Sequence, residues 1–135
     1  FKLKNALVND QLAPAKSAAN ELVQLLAKLQ NGSLKASEKT AWEALSKKLT
    51  DASVKIKAAK DITELRKHFE QLSTEVILLT ENYGVNQELV YKDYCPMAFN
   101  NKGAYWLSET KEITNPYFGA SMLACGEVKQ TYSKK

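Results

Sequence analysis

A chain of 135 residues with 44% apolar and 25% charged side chains has the composition of an ordinary globular domain, which argues against disorder and fibre formation. Its length fits one domain and suffices for a core without cofactor or cross-link. The net charge of +4 comes from lysines spread along predicted helices, and Arg66 is the sole arginine. Nucleic-acid binding needs clustered Lys and Arg with stacking aromatics, so nucleic acid is not an expected partner. The longest apolar candidate, Val76-Ile77-Leu78-Leu79, falls far short of the roughly 20 residues a membrane helix needs. The chain opens on Phe1 and is expected to be a processed or truncated product.

Helical periodicity dominates the first half. Leu3, Leu7 and Val8 suggest a turn or two of helix, and Asn9-Asp10 with Pro14 should bend or restart it, since proline lacks an amide donor. Leu22, Leu25, Leu26 and Leu29 recur at i, i+3, i+4, i+7, an apolar helical stripe that stops at Asn31-Gly32. Ser37 suits the N-cap of the next helix, which carries Trp42, Leu45, Leu49, Ala52 and Ile56 at the same spacing. Asp61-Ile62-Thr63-Glu64 has the form of a capping box. Behind it Ile62, Leu65, Phe69, Leu72, Val76, Leu79 and Tyr83 keep the spacing until Gly84 closes the helix.

Such stripes must be buried against one another. The expectation is a single all-α domain over 1–135, an antiparallel bundle of three to four main helices within 1–84. An irregular, aromatic-rich segment over 85–131 packs on them and ends in a short helix. The chain after Gly84 holds both cysteines, both methionines and eight of the twelve aromatics. Within it Glu88-Leu89-Val90-Tyr91 is extended or irregular, Pro96 disfavours helix at Cys95, and Asn100-Asn101-Lys102-Gly103 is a turn. Asn115-Pro116 should start a short helix running to Cys125, with Gly126 as its C-cap. Tyr105, Trp106, Tyr117 and Phe118 read as core that clamps the loop to the bundle.

The chemistry, if any, lies between Cys95 and Cys125. Cys95 and Met97 project to one side of an extended segment, and Met122 and Cys125 stand at i, i+3 on the predicted helix. Four converging sulfurs would suit a soft monovalent ion, copper(I) first; zinc, which has little use for thioethers, ranks second. His68, the only histidine, is an optional nitrogen ligand beside Phe69. The competing reading is a Cys95–Cys125 disulfide, which closes a loop of about 31 residues and stabilises by roughly 3–4 kcal/mol, with the methionines as core filler. Motif content alone favours the disulfide. No phosphate loop, Cys-x-x-Cys pair or nucleophile elbow is present in the sequence, so no enzyme is expected.

Read together, Tyr94-Cys95-Pro96-Met97-Ala98-Phe99, Gly103-Ala104-Tyr105-Trp106-Leu107-Ser108, Asn115-Pro116-Tyr117-Phe118-Gly119 and Cys125-Gly126-Glu127-Val128 resemble the bacterial domain-of-unknown-function family 3347. The likeness is dense over 88–131 and looser over the helices, where Leu7, the Asp10 region and Phe69 to Ser73 fit. It implies an exported domain of the periplasm or cell envelope, and the start at Phe1 is compatible with a signal peptide or lipoprotein anchor removed in processing. It also implies company with the periplasmic adaptors of heavy-metal efflux systems, and so a chaperone, sensor or buffer for metal, which places copper(I) above the disulfide. Cys95-Pro96-Met97 is also similar to the Cys-Pro-Met-His of small heavy-metal-binding domains, with Ala98 standing where that motif has histidine.

Overall fold

The computed structural model describes residues 1–29 and 36–135. Four helices lead the chain: α1 (Lys2–Val8), α2 (Leu12–Leu29), α3 (Ala36–Ala58) and α4 (Ile62–Tyr83). The chain reverses between α1 and α2 at Asp10, whose φ of 54° is left-handed. Pro14 causes no break, because it lies in the first turn of α2, where an amide donor is dispensable. The α4 cap is as the sequence predicts, with one shift. Asp61 accepts from the Glu64 amide at 2.8 Å, while the Glu64 carboxylate reaches back to the Lys60 amide at 2.8 Å. Gly84, at φ 83°, ends the helix and donates to the Thr80 carbonyl. The expected helix stop at Asn31-Gly32 and the side chain of Ser37 lie outside the described residues.

The remainder is not all-α. Residues Leu89–Cys95, Ala104–Ser108 and Glu127–Ser133 form strands β1, β2 and β3 of an antiparallel sheet ordered β2-β1-β3. Pairing runs from Tyr91 opposite Ser108 to Cys95 opposite Ala104 on one side, and from Leu89 opposite Ser133 to Tyr94 opposite Glu127 on the other. A register shift falls between Lys92 and Asp93 on the β3 side. The expectation of an irregular segment fails because Val90, Tyr91, Tyr94, Tyr105, Trp106, Val128 and Tyr132 suit a pleated, half-buried surface. In β2 the buried residues Ala104, Trp106 and Ser108 alternate with more exposed ones, the period of a one-sided strand.

The expected helix from Pro116 to Cys125 is also corrected. Only a 3-10 turn, Gly119–Met122, is present. Gly119 holds φ 57°, a left-handed value that an ordinary helical residue avoids. Gly126 caps no helix; a Cβ there would press on the Trp106 ring and the Tyr94 carbonyl at 3.0 Å.

The helices α2, α3 and α4 pack in sequence as a bundle, α1 folds back on α2, and α4 seats on β2. One core joins Leu7, Leu49, Ile56, Leu65, Phe69 and Leu72 to Cys95, Trp106 and Tyr117 of the C-terminal part. Trp42, Leu45 and Val76 border it, partly buried. The α2 stripe is less covered than its spacing suggests: Leu26 is buried, whereas Leu25 is 52% exposed. Glu81 on α4 accepts from Lys92 at 3.0 Å and Tyr132 at 2.7 Å, fastening both β1 and β3 to the helix. No helix of the described residues is long and apolar enough to cross a membrane.

Candidate functional site: the Cys95–Cys125 pair

Cys95 ends β1 and is 0% exposed, facing the core opposite the small Ala104. Pro96 follows, and its missing amide fits the point where the ladder stops. The chain then turns through Phe99, Asn100 and Asn101, all left-handed, and Gly103 enters β2 beneath the Tyr94 ring, leaving no room for a Cβ. Asparagine tolerates such angles because its short amide satisfies the local backbone.

The partner cysteine is delivered by Asn115. Its side-chain oxygen accepts from the Tyr117 and Phe118 amides at 2.8 and 3.2 Å, the cap that the sequence predicts at Asn115-Pro116. Its amide nitrogen donates to the Cys125 carbonyl at 2.7 Å, and its backbone amide donates to Leu123. Asn115 is fully buried, so leaving these groups unpaired would cost several kcal/mol. The loop is therefore drawn closed on itself. Cys125, half-buried, stands with its Sγ 3.1 Å from the Cys95 Sγ, both as free thiols. The Met97 amide also faces the Cys125 sulfur. The contact with Cys95, then burial, push the Cys125 thiol above its ordinary range, and the Met97 amide partly opposes them.

Two further anchors hold this loop to the helices. Arg66 on α4 donates Nε to the Pro116 carbonyl at 2.8 Å. It donates Nη2 to the Leu7 carbonyl at 2.9 Å and to Asp10 Oδ1 at 2.8 Å. The other Asp10 oxygen accepts from the Ala120 amide at 3.0 Å. The Ala120 bond, then the Arg66 bond, hold the Asp10 carboxyl below the usual range. Above the loop, Tyr117 packs its ring against Phe69, Phe99 and Trp106 with centroids 5.5, 5.5 and 6.0 Å away. Its hydroxyl donates to the Tyr105 carbonyl, and burial pushes that phenol far up.

The predicted ligands divide accordingly. Cys95 and Cys125 meet. Met97 is 47% exposed beside them in sequence, and Met122 is half-buried one turn before Cys125. His68 sits half-buried on α4, and it does not complete a set: among the described residues no three His, Cys, Asp or Glu side chains come together. A tetrahedral zinc site with four such ligands is therefore not built here, while two sulfurs suit a soft ion of low coordination number. Two thiolates at about 2.3 Å from a shared ion stand about 3.8 Å apart in a tetrahedral site and about 4.6 Å apart in a linear one. Bonded to each other they stand about 2.05 Å apart. The observed 3.1 Å lies between.

Sequence reasoning missed Arg66 and Asp10, and gave Asn115 only its capping role. Their partners are 50 to 110 residues away, and no local spacing encodes that. It also missed Asp93, fully buried on β1 with neither carboxylate oxygen hydrogen-bonded in the structure. Burial pushes its carboxyl up to about 6, against the pull of Lys4, whose ammonium is paired with Glu109 at 2.7 Å.

The family described as "Protein of unknown function (DUF3347)" matches residues 1–88. The chain belongs to that family. The matched part is the four helices and the approach to β1, whereas the resemblance read from the sequence was densest beyond it. The cysteine pair lies outside the matched residues, so membership by itself assigns it no role. No curated protein and no solved structure matches the chain.

Proposed function

We propose that this domain is a non-catalytic module of the bacterial cell envelope that holds copper(I) between Cys95 and Cys125. It would act as a chaperone, sensor or buffer that hands metal to an efflux adaptor or another envelope protein. One observation carries the reading: two cysteines 30 residues apart in a chain with no others meet at 3.1 Å at the rim of the core. Buried Cys95 fixes the site, and half-buried Cys125 gives access to it. Met97 and Met122 are the candidates for a weaker third ligand, since thioether sulfur also prefers copper(I). The exported setting and the adaptor partner rest on the resemblance of the C-terminal motifs.

Titration of the reduced protein with copper(I) against a chromogenic chelator tests this. One equivalent withdrawn per chain, and lost in the Cys95→Ser and Cys125→Ser variants, is the expected result. No withdrawal by folded, reduced protein overturns it.

A second reading is favoured by the lack, among the described residues, of a third His, Cys, Asp or Glu ligand and by the complete burial of Cys95. Here a Cys95–Cys125 disulfide is a structural staple, and the domain serves as an interaction module without metal. Counting thiols in unfolded protein purified without reductant decides for it when none is found.

A further inference from the structure

We propose that Cys125 and Cys95 form an ordered thiol–disulfide exchange pair, Cys125 as the attacking thiol and Cys95 as the resolving one, which switches the metal site off by oxidation. The inference deepens the copper reading by giving its site a regulation, and the exchange itself needs no metal. Three features carry it. The sulfurs stand 3.1 Å apart, so the second step requires only a small approach. Their accessibility is unequal, because Cys95 is fully buried while Cys125 is half-buried, and an external disulfide must meet Cys125 first. The segment that delivers Cys125 is tied down by the Asn115 bond to its carbonyl, which keeps the two sulfurs together while a mixed disulfide exists.

The oxidant is a disulfide, either a small molecule such as oxidised glutathione or the active-site disulfide of an oxidoreductase. The Cys125 thiol, giving up its proton, attacks one sulfur of that disulfide. Its S–S bond breaks, and one thiolate leaves and takes up the proton. The Cys95 sulfur, also giving up a proton, then attacks the Cys125 sulfur of the mixed disulfide. The Cys95–Cys125 bond forms, and the second thiolate leaves protonated. The protein loses two electrons, and the reagent becomes two thiols. With both sulfur atoms bonded to each other, neither is a thiolate ligand.

Mass spectrometry of folded, reduced protein treated with oxidised glutathione tests the order. Wild type should lose two hydrogens and release two glutathione molecules. Cys95→Ser should stop at one glutathione held on Cys125, and Cys125→Ser should stay unmodified until urea is added. Equal reaction of the two variants in the native state, or a wild type that ends as the mixed disulfide, overturns the proposal. Should a variant fail to fold, limiting iodoacetamide on native wild type gives the same answer: Cys125 labels at least about tenfold faster than Cys95, and equal labelling overturns the order. Copper(I) titration of the oxidised protein is a separate arm. Retained binding after complete disulfide formation would overturn the switch and leave the exchange order standing.

Discussion

Gly119 lies directly beneath the carboxylate of Asp10, so close that a Cβ built on residue 119 would collide with it. The same carboxylate receives the next amide, Ala120. At φ 57° the glycine also holds a backbone conformation that other residues adopt at a cost. Gly119→Ala should therefore destabilise the protein by about 1–3 kcal/mol, seen as a lower midpoint in a urea melt. A glycine in a regular helix would give the opposite sign, a gain of up to about 1 kcal/mol, and that result would refute the close packing.

Arg66→Lys should cost about 2–3 kcal/mol. The guanidinium serves two carbonyls and a carboxylate from one rigid fork, and an ammonium cannot reproduce that geometry. Stability equal to wild type would mean that the three bonds are dispensable.

Asp93→Asn probes the buried carboxyl. The folded-state value is raised from 3.8 to about 6, so the native protein binds this proton more tightly than the unfolded chain does. The associated stability is present below about pH 4 and is lost as pH rises through about 6. Two pH units correspond to about 3 kcal/mol. Urea melts of metal-free wild type and variant, compared at about pH 4 and about pH 8, should therefore show their difference shifting in favour of the variant as pH rises. A difference independent of pH would show that Asp93 does not titrate in this range.

Phe69→Ala should cost about 3–5 kcal/mol, because the ring is buried and lies 5.5 Å from Tyr117. The loss should appear in both far-ultraviolet and tyrosine signals. Near-wild-type stability in a denaturant melt would show that Phe69 contributes little to the core.

Copper(I) affinity should weaken as pH falls. The Cys125 thiol is pushed up by its neighbour Cys95 and by burial, so binding has to displace protons. Chelator competition at about pH 6, 7 and 8 measures this, and a flat profile would argue against thiolate ligation.

Local chemistry was legible in the sequence and remote pairing was not. The Leu65, Phe69, Leu72 stripe predicts a buried helical face because each neighbour is three or four residues away, and all three are buried. The Asp61 cap is equally local. The sheet depends on contacts such as Leu89 with Ser133, and its strands carry Lys92, Asp93, Glu127 and Lys129, charges that conceal the alternation. Asn115-Pro116 does cap a turn, but the left-handed Gly119 prevents that turn from continuing as a helix. The approach of Cys95 and Cys125 was legible as the confinement of all sulfur to two short motifs. The means of holding them together was not, because Asn115, Arg66 and Asp10 act through loop closure and through contacts far along the chain.

The bridge from Arg66 through Asp10 to Ala120 has a consequence for cooperativity. It spans 110 residues of chain, and the helices it ties down share one core with Cys95, Trp106 and Tyr117. A fragment cut after the helices would leave the guanidinium without its Pro116 acceptor and would expose to water the Phe69 face that packs on Tyr117. Buried apolar surface and the bonds to Pro116 and Ala120 would be lost together, so the helices are expected to open together with the sheet in hydrogen exchange rather than before or after it.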